Sequence, residues 1–323
     1  REAVRYTVEL AKKAGFAEYE QDKKYKAGDR LYYVNRDKAV ALVVIGKNGV
    51  KNGARLAIAH IDSPRLDLKP NPLYEELELA LFKTHYYGGI RKYQWPAVPL
   101  ALHGVFAKKD GSVVNVKIGE DENDPKFVVN DLLPHLAAEQ SKRTLSEGIK
   151  GEELNILIGS MPFKDDEGSE LVKLNILKIL NEKYGITDKD YDTAELEAVP
   201  AAKPTDIGFD RSLIGAYGHD DRCCAYPTLE AIIGCKAPKR TAIAVLTDKE
   251  EIGSDGNTGL HSAYMKYFIE DIAENMGSKG RWVLTNSRCL SADVNAAFDP
   301  TFAEPFERSN ASFINYGAVL TKY

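Results

Sequence analysis

Apolar positions in the opening segment recur at helical spacing. Val4, Val8 and Ala11 share a face across Glu2 to Ala14, and Gly15 stands where such a helix would end. Tyr32 to Asn35 and Ala39 to Ile45 are rich in β-branched and aromatic residues, a Lys47-Asn48-Gly49 turn signal follows, and Arg55 to Ala59 resumes an apolar run that stops at His60. From about Pro70 to Pro200 the texture changes. Tyr86-Tyr87-Gly88-Gly89 and a Lys109-Asp110-Gly111 turn precede charged, helical-looking material from Glu139 to Gly185. Thereafter Cys223 to Gly234 reads as a helix and Thr241 to Leu246 as a buried strand. Gly259 to Glu270 reads as a helix, and Arg288 to Val294 and Tyr316 to Leu320 as short strands. Strand and helix in alternation predict an α/β sheet, here interrupted by an insertion.

Composition narrows the function classes. A chain of 323 residues that is 44% hydrophobic can bury a core of one or two domains. Charged residues make up 28% but the net charge is only -5, so no long-range field is built to capture nucleic acid or an anionic membrane, which leaves a small or peptide substrate. No apolar run approaches the roughly 18 residues needed to cross a bilayer, and Arg1 to Leu10 has no signal-peptide character. Cys223, Cys224, Cys235 and Cys289 show neither zinc-ribbon spacing nor the density of a disulfide scaffold, which fits reduced thiols and a cytoplasmic location. The first residue is not Met and the chain stops just after an apolar run, so one or both ends are expected to be missing.

Polar clusters follow the apolar, strand-like runs: His60-Ile61-Asp62, His219-Asp220-Asp221, Glu250-Glu251 and Asp293. In open α/β sheets ligands gather at the carboxyl ends of strands, so these segments are expected to converge. Imidazole and carboxylates suit a dinuclear metal site, where one carboxylate bridges two ions and a shared water becomes hydroxide near neutral pH. An unligated carboxylate beside it would move the proton, and Glu250-Glu251 offers one base and one ligand. Alternation along an extended segment sends His60 and Asp62 the same way, which lets Asp62 orient the imidazole. Each piece alone is more often a surface or core accident; the case rests on their combination.

The segments 59–67 (Ala-His-Ile-Asp-Ser-Pro-Arg-Leu-Asp), 217–222 (Tyr-Gly-His-Asp-Asp-Arg), 248–254 (Asp-Lys-Glu-Glu-Ile-Gly-Ser) and 291–297 (Ser-Ala-Asp-Val-Asn-Ala-Ala) resemble those of the aspartyl aminopeptidase and aminopeptidase I family. Tyr86 to Ile90, Pro99 to Ala101 and Asp131 to His135 extend the resemblance in order along the chain. It implies a phosphorylase/hydrolase-like zinc-exopeptidase domain, with a central mixed sheet flanked by helices, over 1–70 and 199–323. An inserted β-rich dimerisation or lid domain would fill 71–198. It implies a metalloaminopeptidase that uses a metal-bridging hydroxide and two zinc ions per subunit, with Co²⁺ or Mn²⁺ as substitutes. His60 and Asp293 would hold one metal, Glu251 the other, and Asp220 would bridge. Glu250 would be base and then acid, Asp62 would orient His60, and Asp221 would be a structural acid. The implied partners are a peptide substrate and a homo-oligomer, a dodecamer built from dimers.

Two features depart from the family pattern. A further His from near the carboxyl terminus should complete the second metal, and none follows Asp293, so that ligand is expected beyond Tyr323; His261 reads as a surface residue. The segment Pro134-His135-Leu136-Ala137 would reach a neighbouring active site, but Glu139 stands where a second His is expected, and an acid there disfavours acidic substrates. Lys322 lies where the family contacts substrate. The rivals are a dinuclear deacylase or carboxypeptidase sharing the ligand set, and a catalytically silent scaffold. Gly253 to Asn257 reads as a turn, Cys223-Cys224 as buried helix packing, and Tyr86, Tyr87, Tyr93 and Trp95 as a subunit contact or core cluster.

Overall fold

The computed structural model describes residues 1–164 and 167–322. They divide into two compact units, one formed by 1–62 with the chain from Gly218 onward and the other by 63–217. Expectations for 165, 166 and Tyr323 lie outside the described residues.

The first unit opens with helix α1 (Glu2–Lys13), which buries Val4, Thr7 and Ala11 and ends before Gly15 at φ +83°. Strands β1 (Ala17–Glu18), β2 (Arg30–Asn35), β3 (Ala39–Val44) and β4 (Arg55–His60) follow. All six residues of β3 are buried, so its unbroken apolar run reflects a strand covered on both faces.

The unit 63–217 carries β5 (Arg65–Glu76), β6 (Leu79–Tyr87), β7 (Leu100–Ala107), β8 (Val113–Ile118), β9 (Val128–Val129), β10 (Ile156–Gly159), helix α2 (Leu171–Tyr184), β11 (Ala194–Pro200), β12 (Thr205–Ile207) and β13 (Leu213–Gly215). Seven strands pair antiparallel in the order β8-β7-β11-β5-β6-β10-β9, and β12 and β13 form a separate hairpin. Leu66, Phe82, Leu102, Phe106, Leu154 and Ile156 build its core. In the expected helical stretch 139–185 the only α-helix among the described residues is α2. Before it, Arg143 pairs with Glu153 at 3.0 Å and Glu153 accepts the Lys150 N–H at 2.9 Å. Such side-chain bonds compete with helical ones. Tyr87 and Trp95 are buried while Tyr86 and Tyr93 are exposed, so that group is split between core and surface.

The chain then returns to the first unit with α3 (His219–Gly234), β14 (Ala242–Thr247), α4 (Tyr264–Asn275), α5 (Gly280–Thr285) and β15 (Arg288–Ser291). Its six-stranded mixed sheet runs β1-β2-β3-β14-β4-β15, with β14, β4 and β15 mutually parallel. On one face Val40, Leu42, Ala244 and Leu246 pack with Ala225, Leu229 and Ile232 of α3 and with α1. On the other, Ala41, Val43, Ile243 and Val245 meet Phe268, Ile269 and Ile272 of α4. Alternate residues of one strand thus serve opposite layers.

Two elements differ from expectation. α4 begins at Tyr264 rather than Gly259, because 258–259 close a loop: Thr258 Oγ1 donates to the buried Asp248 at 2.6 Å, and a Cβ on Gly259 would lie 2.0 Å from the Ser254 carbonyl. Residues 316–320 form no strand, and Tyr316 packs instead in an aromatic cluster with Phe313. Apart from these elements, Cys223 is exposed while the half-buried Cys224 packs against the core cluster under α3, so only one of the pair packs.

Candidate metal centre

Strand direction explains why distant segments meet. β14, β4 and β15 run parallel, so their carboxyl ends lie along one edge, with Thr247 beside His60 and Ser291 beside Ile58. His60 ends β4, Glu250 and Glu251 form a short turn just after β14, and Asp293 lies just beyond β15. Asp220 and Asp221 arrive differently: they stand on the first turn of α3, where both leave helical dihedrals, and not after a strand of this sheet.

His60, only 2% exposed, is the hub. Its Nδ1 meets the Asp62 Oδ1 at 3.2 Å and the Asp62 carbonyl at 3.1 Å, while Nε2 meets Asp220 Oδ1 at 2.9 Å. Asp293 Oδ1 lies 3.7 Å and Glu250 Oε2 3.8 Å from the same Nε2. The Asp62 carboxylate also accepts the Glu250 and Glu251 N–H groups, each at 3.2 Å, and Asp221 Oδ2 accepts the His60 N–H at 3.3 Å.

This crowding raises the pKa of His60, Asp221, Glu250 and Glu251. Burial would lower the His60 pKa, but the Asp62 hydrogen bond and charge, with those of Asp220 and Asp221, outweigh it and lift the ring to about 9. Burial first, then the Asp220 charge, pushes Glu251 up to about 7. Burial likewise raises Glu250 and Asp221, with the Asp293 charge adding to each. Asp221, Glu250 and Glu251 thus resist ionisation, and the imidazole is held as a cation.

The donor set calls for a cation. Oxygens face both ring nitrogens of His60, an arrangement a neutral imidazole cannot satisfy with its single N–H. Asp221 Oδ1 and Glu251 Oε1 are buried with no hydrogen-bond partner. His60, Asp220 and Glu251 form one group of donor atoms within 4.8 Å of one another, and His60, Asp221 and Asp293 form a second. Imidazole and carboxylates at such spacing are ligands that suit zinc.

The structure therefore brings His60, Asp62, Asp220, Glu250, Glu251 and Asp293 together. Asp221, read from the sequence as structural, sits among them and is fully buried. Lys322 is exposed; its neighbour Thr321 is bonded to Asn295, two residues past Asp293, at 3.1 Å. His135 belongs to the 63–217 unit and is exposed. His261 is exposed beside Asp255. Sequence reasoning passed over Arg222, whose Nη1 donates to the Ile61 carbonyl at 2.8 Å, although its position beside Asp220-Asp221 was a usable signal.

A family model described as aminopeptidase I zinc metalloprotease (M18) matches residues 1–323. The chain is 50% identical over 331 residues to a probable M18 family aminopeptidase 1 of Clostridium acetobutylicum, covering all of this chain and 71% of the relative. It resembles the crystal structure of an M18 family aminopeptidase from Thermotoga maritima with a TM-score of 0.92 at 44% identity, over 97% of this chain and 70% of that one. The yeast mApe1 dodecamer structure matches at 21% identity and a TM-score of 0.76, over 97% of this chain and 72% of that one, a likeness of fold alone.

Proposed function

The chain belongs to the M18 family of aminopeptidase I zinc metalloproteases, and from that premise we infer how its own residues carry the reaction. It is a zinc-dependent aminopeptidase, a hydrolase that removes residues from the amino terminus of peptides. The carrying observation is the ring of carboxylates from three separate segments within 3.8 Å of His60 Nε2. In this reading His60, Asp220, Glu251 and Asp293 would hold two zinc ions, Asp220 in the role of shared ligand. When bound, zinc supplies Lewis acidity toward a peptide carbonyl and brings water within reach of a carboxylate base.

Each remaining role follows from environment. Glu250 keeps a side chain 45% exposed at the edge of the cluster, and its carboxyl is raised by burial and by neighbouring acids. A carboxylate whose pKa is raised and which is open to substrate would take a proton from water and return it to the leaving amine. Asp62, buried, holds the His60 ring and the Glu250-Glu251 turn at once.

The reading extends to assembly. The 63–217 unit would serve as the dimerisation or lid insert of a homo-oligomer, a dodecamer as in the yeast structure, and His135 and Lys322 would contact substrate. Glu139, exposed and paired with Lys142 at 2.5 Å, would weaken a preference for acidic first residues.

Hydrolysis of a panel of aminoacyl-arylamides and matched blocked peptides, with and without Zn²⁺, Co²⁺ or Mn²⁺, tests the reading. Metal-dependent cleavage of unblocked substrates alone is expected. Cleavage of blocked peptides would favour the deacylase, and no cleavage with any metal the silent scaffold.

A further inference from the structure

We propose that Arg222 is a positioning residue that sets the distance between the metal-binding carboxylate of Asp220 and the ring of His60. The proposal rests on the ligand assignment above. Its basis is the peptide of Ile61, which joins the two residues that organise the centre. The Ile61 N–H donates to the Thr247 carbonyl at 2.8 Å, which fixes it to the end of β14. The Ile61 carbonyl accepts from Arg222 Nη1 at 2.8 Å, which fixes it to the start of α3. Ile61 itself is buried in the core cluster that contains Ala225 and Leu229 of the same helix.

Arg222 matters because the turn carrying Asp220 lacks ordinary helical support. Asp220 has ψ 107° and Asp221 φ -118°, ψ 42°, so the ladder of a regular helix does not set their direction. Among the other ties between this turn and the end of β4, Asp221 accepts the His60 backbone N–H, while the contact of Asp220 with the His60 ring involves two of the groups assigned to metal. The Arg222 bond reaches a backbone carbonyl instead and would persist whether or not metal is bound. A guanidinium donor also makes a stronger bond than a neutral one.

The test uses the full-length protein carrying Arg222→Ala or Arg222→Lys, with Tyr226→Ala, an exposed change further along α3, as the control. Zinc release to a chelator and the visible spectrum of the cobalt-substituted protein are read alongside kcat and KM. Arg222→Ala should release zinc about 10- to 100-fold faster, the usual cost of losing a group that supports a ligand. Its cobalt spectrum should change, and metal-saturated kcat should fall while KM stays near wild type. Arg222→Lys, which keeps a charged donor, should recover part of each effect and carries the test if the alanine variant does not fold. Zinc release and cobalt spectra no different from those of Tyr226→Ala would overturn the proposal. Failure of the ligand assignment reads differently, as wild-type protein that takes up no zinc, and it would sink the clamp as well.

Discussion

The Asp62 carboxylate lies 3.2 Å from Nδ1 of His60, and it receives the backbone N–H groups of Glu250 and Glu251 at the same distance. One buried acid thereby couples the end of β4 to the turn after β14.

Removing that acid should loosen both at once. Asp62→Ala is expected to weaken zinc binding by about 10- to 100-fold, because an unsupported imidazole loses its orientation and basicity. Competition against a chelator of known affinity measures this, and unchanged zinc binding would show that β4 alone orients His60.

Glu250→Gln keeps the shape of the side chain and removes the base. Turnover should fall by about 10²- to 10⁴-fold, the usual contribution of a positioned proton carrier, with zinc content close to wild type. Surviving activity in a zinc-loaded variant would move the role to another carboxylate.

The metal-free protein should lose stability as pH rises. His60 titrates near 9 when folded against an ordinary 6.5, and Glu251 near 7 against 4.5. Both folded values are raised, so the stability they contribute is fully present below the unfolded values and is lost as pH climbs through about 7 and then about 9. The melting temperature of chelator-treated protein should fall from pH 5 to 9. Zinc displaces the same protons, so its affinity should rise over that window and its binding should release protons, seen by calorimetry in buffers of differing ionisation heat.

Leu246, 2% exposed in β14, packs between sheet and α3 just before the Glu250-Glu251 turn. Leu246→Ala should cost about 2–5 kcal/mol through lost burial and the cavity left behind. Denaturant unfolding of the zinc-free protein reports it; a change well below that range would mean the neighbouring side chains close the gap.

Part of the first unit was legible because several of its elements announce themselves locally. Apolar residues at helical spacing mark α1, and the unbroken runs 39–45 and 241–246 mark strands covered on both faces. The proposed ligand set was named from residue types in a resembling order, and the structure brings those residues together. Less legible were segments whose partners are remote or whose own side chains replace backbone bonds. Residues 139–153 fold through Arg143 and Glu153, and the start of α4 moves because Thr258 and Gly259 are drawn to Asp248 and Ser254.

The sequence by itself determined which chemistry is available, since an imidazole and a set of carboxylates are covalent facts, and it determined the strands that end beside most of them, since periodicity is local. Only the tertiary structure decided that Asp220 and Asp221 come from a non-helical first turn of α3, that Asp221 Oδ1 and Glu251 Oε1 are buried without a hydrogen-bond partner among the described residues, and that Arg222 grips the carbonyl of Ile61, between His60 and Asp62. These features depend on distances between residues some 160 to 190 positions apart in the chain. Such distances follow from packing and strand direction, which no single segment encodes.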